Sequence, residues 1–278
     1  MKSKLNISGI IGLLLAIVLV VFVGMALDSN NQLALGQLIG FFNIPSLAIT
    51  VGGTVGGLIF MFPVSVLKNV PKMIGMVFKP KQYDPKKYIE DMVEYCKIAR
   101  MKGILQLEES ANQCEDPFMK SALMLIVDAN DSEKVKSMLD DAIDFMCERH
   151  ESNMLIWLKG SASAPAFGMI GTLVGLINML AALNPNDPDS ASNLGSGMST
   201  ALITTFYGTI MTHVFFNPIA NQLKYLHNRE VLCMQIVEEG ALAIIAGANP
   251  RYVQERLEMM LARSEVQGKG KGKKNESK

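Results

Sequence analysis

The residues whose types and spacing could do chemistry lie in two apolar stretches. Ser161–Leu183 reads SASAPAFGMIGTLVGLINMLAAL and carries Gly168, Gly171, Thr172 and Gly175; Leu194–Leu223 carries Thr200, Thr204, Thr205, Gly208 and Thr212. Glycines four residues apart let helix backbones approach closely in lipid. At the helical repeat, Thr200, Thr204, Gly208 and Thr212 share one slowly drifting face. Such a row predicts a polar seam inside a helix bundle. The simpler account is that each threonine bonds back to a carbonyl of its own helix. Other chemistries lack their groups. His150, His213 and His227 make no HExxH pattern, and Cys96, Cys114, Cys147 and Cys233 make no CxxC. With no phosphate-binding loop and no nucleophile–base constellation, neither an ATP-driven machine nor an enzyme is indicated, and no cofactor or metal is expected.

The elements that must position those hydroxyls are membrane helices. The 278 residues are 49% hydrophobic and 19% charged, against about 25% charged in ordinary domains, and mean hydropathy is positive. Leu5–Leu27 and Phe41–Leu67 are two further apolar runs, each longer than the ~20 residues that cross a bilayer. The first exceeds a signal-peptide core and is expected to be retained. The second holds Gly52, Gly53, Gly56 and Gly57, two overlapping GxxxG pairs that should pack on a neighbour. The reading is therefore an all-α integral membrane protein with four transmembrane helices and a helical cytoplasmic domain between the second and third.

Charge placement orients it. Of the 26 Lys and Arg residues, none falls in 28–43 or 184–193. Cytoplasmic loops collect such residues, so both termini and the middle domain are expected in the cytoplasm. The expected domains are 1–70 (helices one and two), 71–157 (cytoplasmic), 158–223 (helices three and four), 224–264 (C-terminal cytoplasmic helices) and 265–278 (a basic, disordered tail). The tail's lysines would meet anionic lipid. With a net charge of zero, no nucleic-acid partner is indicated.

In the cytoplasmic part, Asp84-Pro85 predicts a helix start and Gly103 its stop, with Tyr88, Ile89, Met92, Val93, Cys96 and Ala99 inward. Short helices are expected at Ile104–Gln113 and from Pro117 to Val127. A long one capped by Asp131 or Ser132 should bury Val135, Met138, Leu139, Ala142 and Met146 and run directly into the third membrane segment. A helix from the fourth segment should reach Ala246, and Asn249-Pro250 should start a last one to about Ser264.

The four apolar runs contain no Asp, Glu, Lys or Arg apart from their end residues. Cation passage through a bilayer usually needs a carboxylate. The chain therefore either conducts nothing or borrows that group from another polypeptide; His213 is the one titratable alternative inside the runs.

At ARMKGILQLEE (99–109), PAFGMIGTLVGL (165–176), TALITTFYGTI (200–210), FFNPIANQL (215–223) and EEGALAIIAGANPR (238–251) the sequence resembles the flagellar motor stator A-subunit family (MotA/PomA) over nearly its whole length, more closely its sodium-type branch. The resemblance implies a pentamer of A-subunits around two B-subunits (MotB/PomB-like), whose helix supplies the ion-binding aspartate. Sodium, or alternatively protons, would be the transported ion, and flow would turn the ring against the rotor C-ring (FliG-like). It assigns Arg100 and Glu108 to rotor contact, where a solvated helix face is the plainer account. It assigns Thr172, Thr204 and Thr205 to the ion pathway. Pro165 and Pro218 are implied in conformational coupling, as hinges or through freed carbonyls, with simple kinks as the alternative. An ExbB/TolQ-like energiser or a non-conducting scaffold are the competing readings.

Overall fold

A computed structural model of the chain describes residues 6–20, 37–128, 131–183 and 190–262. The end of the first apolar run, most of the 184–193 segment, Ser264 and the basic tail lie outside the described residues. In chain order the main helices are α1 (Ile7–Val18), α2 (Ile44–Met61), α3 (Val70–Phe78), α4 (Pro85–Lys102), α5 (Leu107–Gln113), α6 (Pro117–Asp128), α7 (Ser132–Ala181), α8 (Ser190–Ile210), α9 (Asn217–Ile245) and α10 (Pro250–Glu258). A π-helical stretch, Ala48–Gly52, lies inside α2, and another, Met211–Phe216, joins α8 to α9. All elements among the described residues are helices.

Two of these helices, α2 and α7, are long and apolar enough to cross a membrane by length and composition. The other two apolar runs do not reach that mark among the described residues. α1 is described for twelve residues only, and α8 is diluted by Ser190, Ser192, Asn193, Ser196, Ser199 and its threonines.

The chain forms two compact units. One comprises Lys81–His150 and Tyr225 onward, the other Lys4–Pro80 with Glu151–Lys224. In the first unit, capping chemistry sets the helix ends as the sequence predicts. The Asp84 carboxylate accepts the Lys86 N–H ahead of Pro85, and α4 stops at Gly103, whose φ of 90° is a conformation only glycine adopts freely. Asp116 caps α6 through the N–H groups of Phe118 and Met119, Asp131 accepts from Glu133 ahead of α7, and Asn249 caps α10. Tyr88, Ile89, Met92, Val93 and Cys96 of α4 pack with Leu107, Leu123, Ile126, Leu139, Ile236, Val237, Val253 and Leu257.

Three expectations change here. Met138 is exposed and Ile143 is buried in its place, because four residues from Leu139 keeps the stripe on one face whereas Met138 lies about 100° off it. The Ile104–Gln113 segment begins as a 3-10 turn before α5. The last helix ends at Glu258, not near Ser264.

In the second unit, α2 ends where Phe62 turns extended before Pro63, since a residue preceding proline is pushed out of the helical region. A core of Leu58, Met73, Val77, Ile156, Trp157, Ala220 and Leu223 forms beyond that break, and the Trp157 indole N–H points at the Met73 sulfur at 3.3 Å. Segments 71–80 and 151–157 thus belong to this unit. The start of α1 is tied to the end of α3 by the Asn6 N–H on the Phe78 carbonyl, 3.0 Å.

Candidate functional site: a hydroxyl-lined helix pair

The glycines bring α7 and α8 into near-backbone contact. A methyl added at Gly175 would lie 2.8 Å from the Ala201 nitrogen and the Gly197 oxygen, one at Gly208 2.7 Å from the Ala164 oxygen, and one at Gly168 3.1 Å from the Thr204 oxygen. Gly171 leaves a slot filled by the Thr204 side chain, whose Cγ2 would be 2.4 Å from an added methyl. Of the overlapping GxxxG pairs in α2, Gly53 and Gly57 face the Phe167 ring, while Gly52 and Gly56 meet nothing within 4 Å.

The close approach places two hydroxyls against each other. Thr172 Oγ1 and Thr205 Oγ1 are 2.6 Å apart. Thr172 also lies 3.1 Å from the Gly168 carbonyl of its own helix and 3.1 Å from the Ala201 carbonyl of α8, and Thr205 lies 3.4 Å from that same Ala201 oxygen. Two hydroxyls bring two hydrogens to a cluster of four oxygens, so lone pairs remain. Thr205 is exposed and Thr172 partly so, which leaves those lone pairs reachable on the surface of the unit. Thr209, one turn along, bonds back to the Thr205 carbonyl at 2.9 Å.

Thr204 lies elsewhere. It is fully buried, and its hydroxyl bonds to the Ala201 carbonyl at 2.8 Å, on its own helix. The row Thr200, Thr204, Gly208 and Thr212 is an inward seam, and its partners come largely from a row that the sequence reading missed. Asn43 Nδ2 donates to Thr200 Oγ1 at 3.3 Å, Ser46 Oγ to the Thr200 carbonyl at 3.2 Å, and Thr50 Oγ1 to the Thr204 carbonyl at 3.4 Å. Ser46, Thr50 and Thr54 are all fully buried. Their spacing of four residues is the sequence signal for such a row. Own-helix bonding therefore describes every one of Thr172, Thr204, Thr205 and Thr209, but of these four only Thr172 and Thr205 also carry a side-chain hydrogen bond between the two helices.

Pro165 sits inside α7 without ending it. Proline has no N–H for the carbonyl four residues back, here Ser161. That oxygen instead accepts the Thr212 hydroxyl at 3.1 Å, and the Ser161 hydroxyl donates to Asn217 Oδ1 at 2.6 Å. Pro218 follows the π-helical stretch, where the Asn217 N–H reaches back to the Thr212 carbonyl. Both prolines and His213 are exposed.

Arg100 and Glu108 belong to the other unit. Arg100 lies in the last turn of α4 and Glu108 in the first turn of α5, on either side of the Gly103 turn, and both are exposed. Neither forms an ion pair with another described residue. No group of three or more His, Cys, Asp or Glu side chains suited to a metal occurs among the described residues.

Among the described residues, helices with two apolar spans, glycine-tight packing and an accessible oxygen cluster between two of them have the features of a helical membrane subunit. Residues 110–236 match the MotA/TolQ/ExbB proton channel family. The chain is 36% identical over 236 residues to motility protein A of Treponema pallidum, covering 85% of this chain and 89% of the relative. It is 35% identical over 230 residues to chemotaxis protein PomA of Vibrio alginolyticus, covering 82% and 88%. Its fold matches a chain of the flagellar MotAB stator complex from Bacillus subtilis with a TM-score of 0.79 and 27% identity, over 94% of this chain and 97% of that one. The chain belongs to the motility protein A (MotA/PomA) family of flagellar motor stator subunits.

Proposed function

We propose that this stator subunit forms, with a B-subunit, a path for cations whose flow drives torque on the rotor C-ring. The observation that carries the reading is the Thr172–Thr205 oxygen cluster, set in the apolar stretches 161–183 of α7 and 194–210 of α8, which hold no carboxylate. The apolar runs offer hydroxyls and carbonyls as ligands and no acid to bind and release an ion. A partner helix bearing an aspartate completes that set, in keeping with the MotAB complexes whose fold the chain shares. Sodium, a hard cation, suits the four oxygens and is favoured over protons. Thr172 and Thr205 face the ion, and Thr204, wedged into the Gly171 slot, holds them in register from behind. Pro165 and Pro218 couple ion passage to motion: each proline leaves its helix short of one backbone hydrogen bond, and the Thr212–Ser161 bond is a cross-helix contact that can break and re-form. The lysine and arginine distribution supports four spans with both termini in the cytoplasm, where the unit carrying Arg100 and Glu108 meets the rotor.

The rotor assignment has a direct test. Exposed charges contribute about 0–1 kcal/mol to stability, so Arg100→Glu and Glu108→Lys should leave membrane accumulation and thermal stability at wild-type levels while swimming is severely impaired. Normal swimming by the double variant would remove these two residues from the rotor contact.

A further inference from the structure

Outside the ion path, the unit built from Lys81–His150 and Tyr225 onward contains a titratable contact between its two longest helices. Asp140 of α7 interacts with Glu238 of α9, Ile143 and Met146 pack with Met234, and His150 meets His227. The helices therefore run antiparallel here, with an apolar middle and a polar pair at each end. At the histidine end the two Nδ1 atoms are 3.2 Å apart, with the rings edge to face at 5.4 Å. Glu230 of α9 approaches His150 Nδ1 to 3.9 Å. The Tyr83 hydroxyl, from the segment ahead of α4, donates to the other oxygen of that carboxylate, and the Lys81 ammonium lies over the Tyr83 ring at 4.9 Å. Arg149, on α7 itself, adds positive charge nearby.

The proton count of such a pair has sharp consequences. Two neutral imidazoles facing through Nδ1 share one hydrogen, one ring donating and the other accepting. A first added proton keeps the bond, since the cationic ring still donates, and Glu230 balances its charge. A second proton removes the acceptor and leaves two cations about 3 Å apart against a single carboxylate, a like-charge contact that disfavours the paired state.

We propose that His150 and His227 form a proton-operated latch on the α7–α9 packing of this unit, closed when the pair holds at most one added proton and released by the second. α7 continues unbroken to Ala181, beyond Pro165 and Thr172, and α9 begins at Asn217, beside Pro218. Both helices that the latch joins are therefore continuous with the segments carrying the proposed coupling residues. The latch itself does not rest on the stator reading.

The sign is fixed by the environment. Burial, ahead of the neighbouring charges, pushes His150 below its ordinary value of 6.5. The folded unit thus takes protons less readily than the unfolded chain. The stability contributed by the closed latch is present above pH 6.5 and is lost as pH falls from there towards the depressed value. Glu238 titrates with the opposite effect, because burial and Asp140 push its carboxyl up to about 7. Acid relieves repulsion at that end.

The test is hydrogen exchange on the full chain purified with its B-subunit, comparing peptides covering 140–150 and 227–238 at about pH 7 and about pH 5.5 after correction for intrinsic rates. An opening linked to one proton changes by at most about tenfold per pH unit, and acceleration of about threefold or more on acidification is expected here. His150→Gln removes the half-buried ring, limits the pair to one proton and should abolish the acceleration; His227→Gln, as a second variant should the first not fold, leaves His150 half-buried and should reduce the acceleration without abolishing it. Glu238→Gln should keep it or enlarge it. Wild-type exchange that does not accelerate, or variants that accelerate like the wild type, would overturn the latch. Swimming is not part of this readout, so its failure and that of the stator reading are separable.

Discussion

Thr172→Ala should abolish sodium-driven swimming while leaving the chain in the membrane with its partner. The substitution removes the hydroxyl that bridges α7 and α8, the 2.6 Å contact to Thr205 and the 3.1 Å contact to the Ala201 carbonyl. It leaves the glycine contacts of the two helices untouched, because those depend on Gly168, Gly171, Gly175 and Gly208. A hydrogen bond of this kind contributes about 0.5–1.5 kcal/mol net, too little to unfold a well-packed pair. An ion that exchanges water for a small set of oxygens suffers far more from losing one ligand, so sodium-driven swimming is expected to be lost over the usual sodium range. Thr172→Ser, which keeps the oxygen, should restore much of it. The measurement is swimming speed against external sodium, with membrane levels of the chain and co-purification of the B-subunit as the control. An alanine variant that swims like the wild type at every sodium concentration would contradict the assignment of Thr172 to the ion.

The second large effect comes from the backbone contact behind that site. Gly208→Val should lower both membrane accumulation and swimming. Its first added carbon would stand 2.7 Å from the Ala164 oxygen and 3.3 Å from the Pro165 Cα. These are backbone atoms on a continuous helix, so they cannot rotate away as a side chain does. α7 and α8 must separate locally, and overpacking of this kind costs about 1–3 kcal/mol. The separation would also stretch the Thr212–Ser161 bond and the Thr172–Thr205 pair, which span the same interface. Gly195→Ala is the matched control, since a methyl there meets nothing within 4 Å of this chain. Thermal stability of the purified complex and the amount of chain in the membrane read the effect. Equal values for the two variants would mean that the tight contact at Gly208 has no structural role.

Much of this was legible in the residues because the signals were local. Asp84-Pro85, Gly103 and Asn249-Pro250 act within one helical turn, and the structure uses each as a cap or stop. The passage of α7 from its wet half into its apolar half follows from the lack of a hydrophilic stop between them, and Pro165 does not end it. The glycine spacing announced a close helix contact, and Pro165 announced the freed Ser161 carbonyl.

What the sequence withheld depends on contacts between distant residues. Nothing local says that the Ser161 carbonyl meets Thr212, fifty-one positions on, or that Ser46 and Thr50 answer Thr200 and Thr204. Thr204 and Thr205 are adjacent in sequence and differ by about 100° around the helix. One is sealed in the seam and the other is exposed, and only the partner helices decide which. Met138 shows the same limit in the other unit, because a periodic stripe tolerates several phases until a neighbour selects one.

On the proposed mechanism this subunit lines a path and another polypeptide brings the acid. Cation flux into vesicles tests it most directly, with the purified chain reconstituted alone and then together with its B-subunit under an imposed gradient. The chain alone should conduct nothing above protein-free vesicles, and the two together should pass cations, with Thr172→Ala suppressing the flux. Conduction by this chain alone would contradict the account.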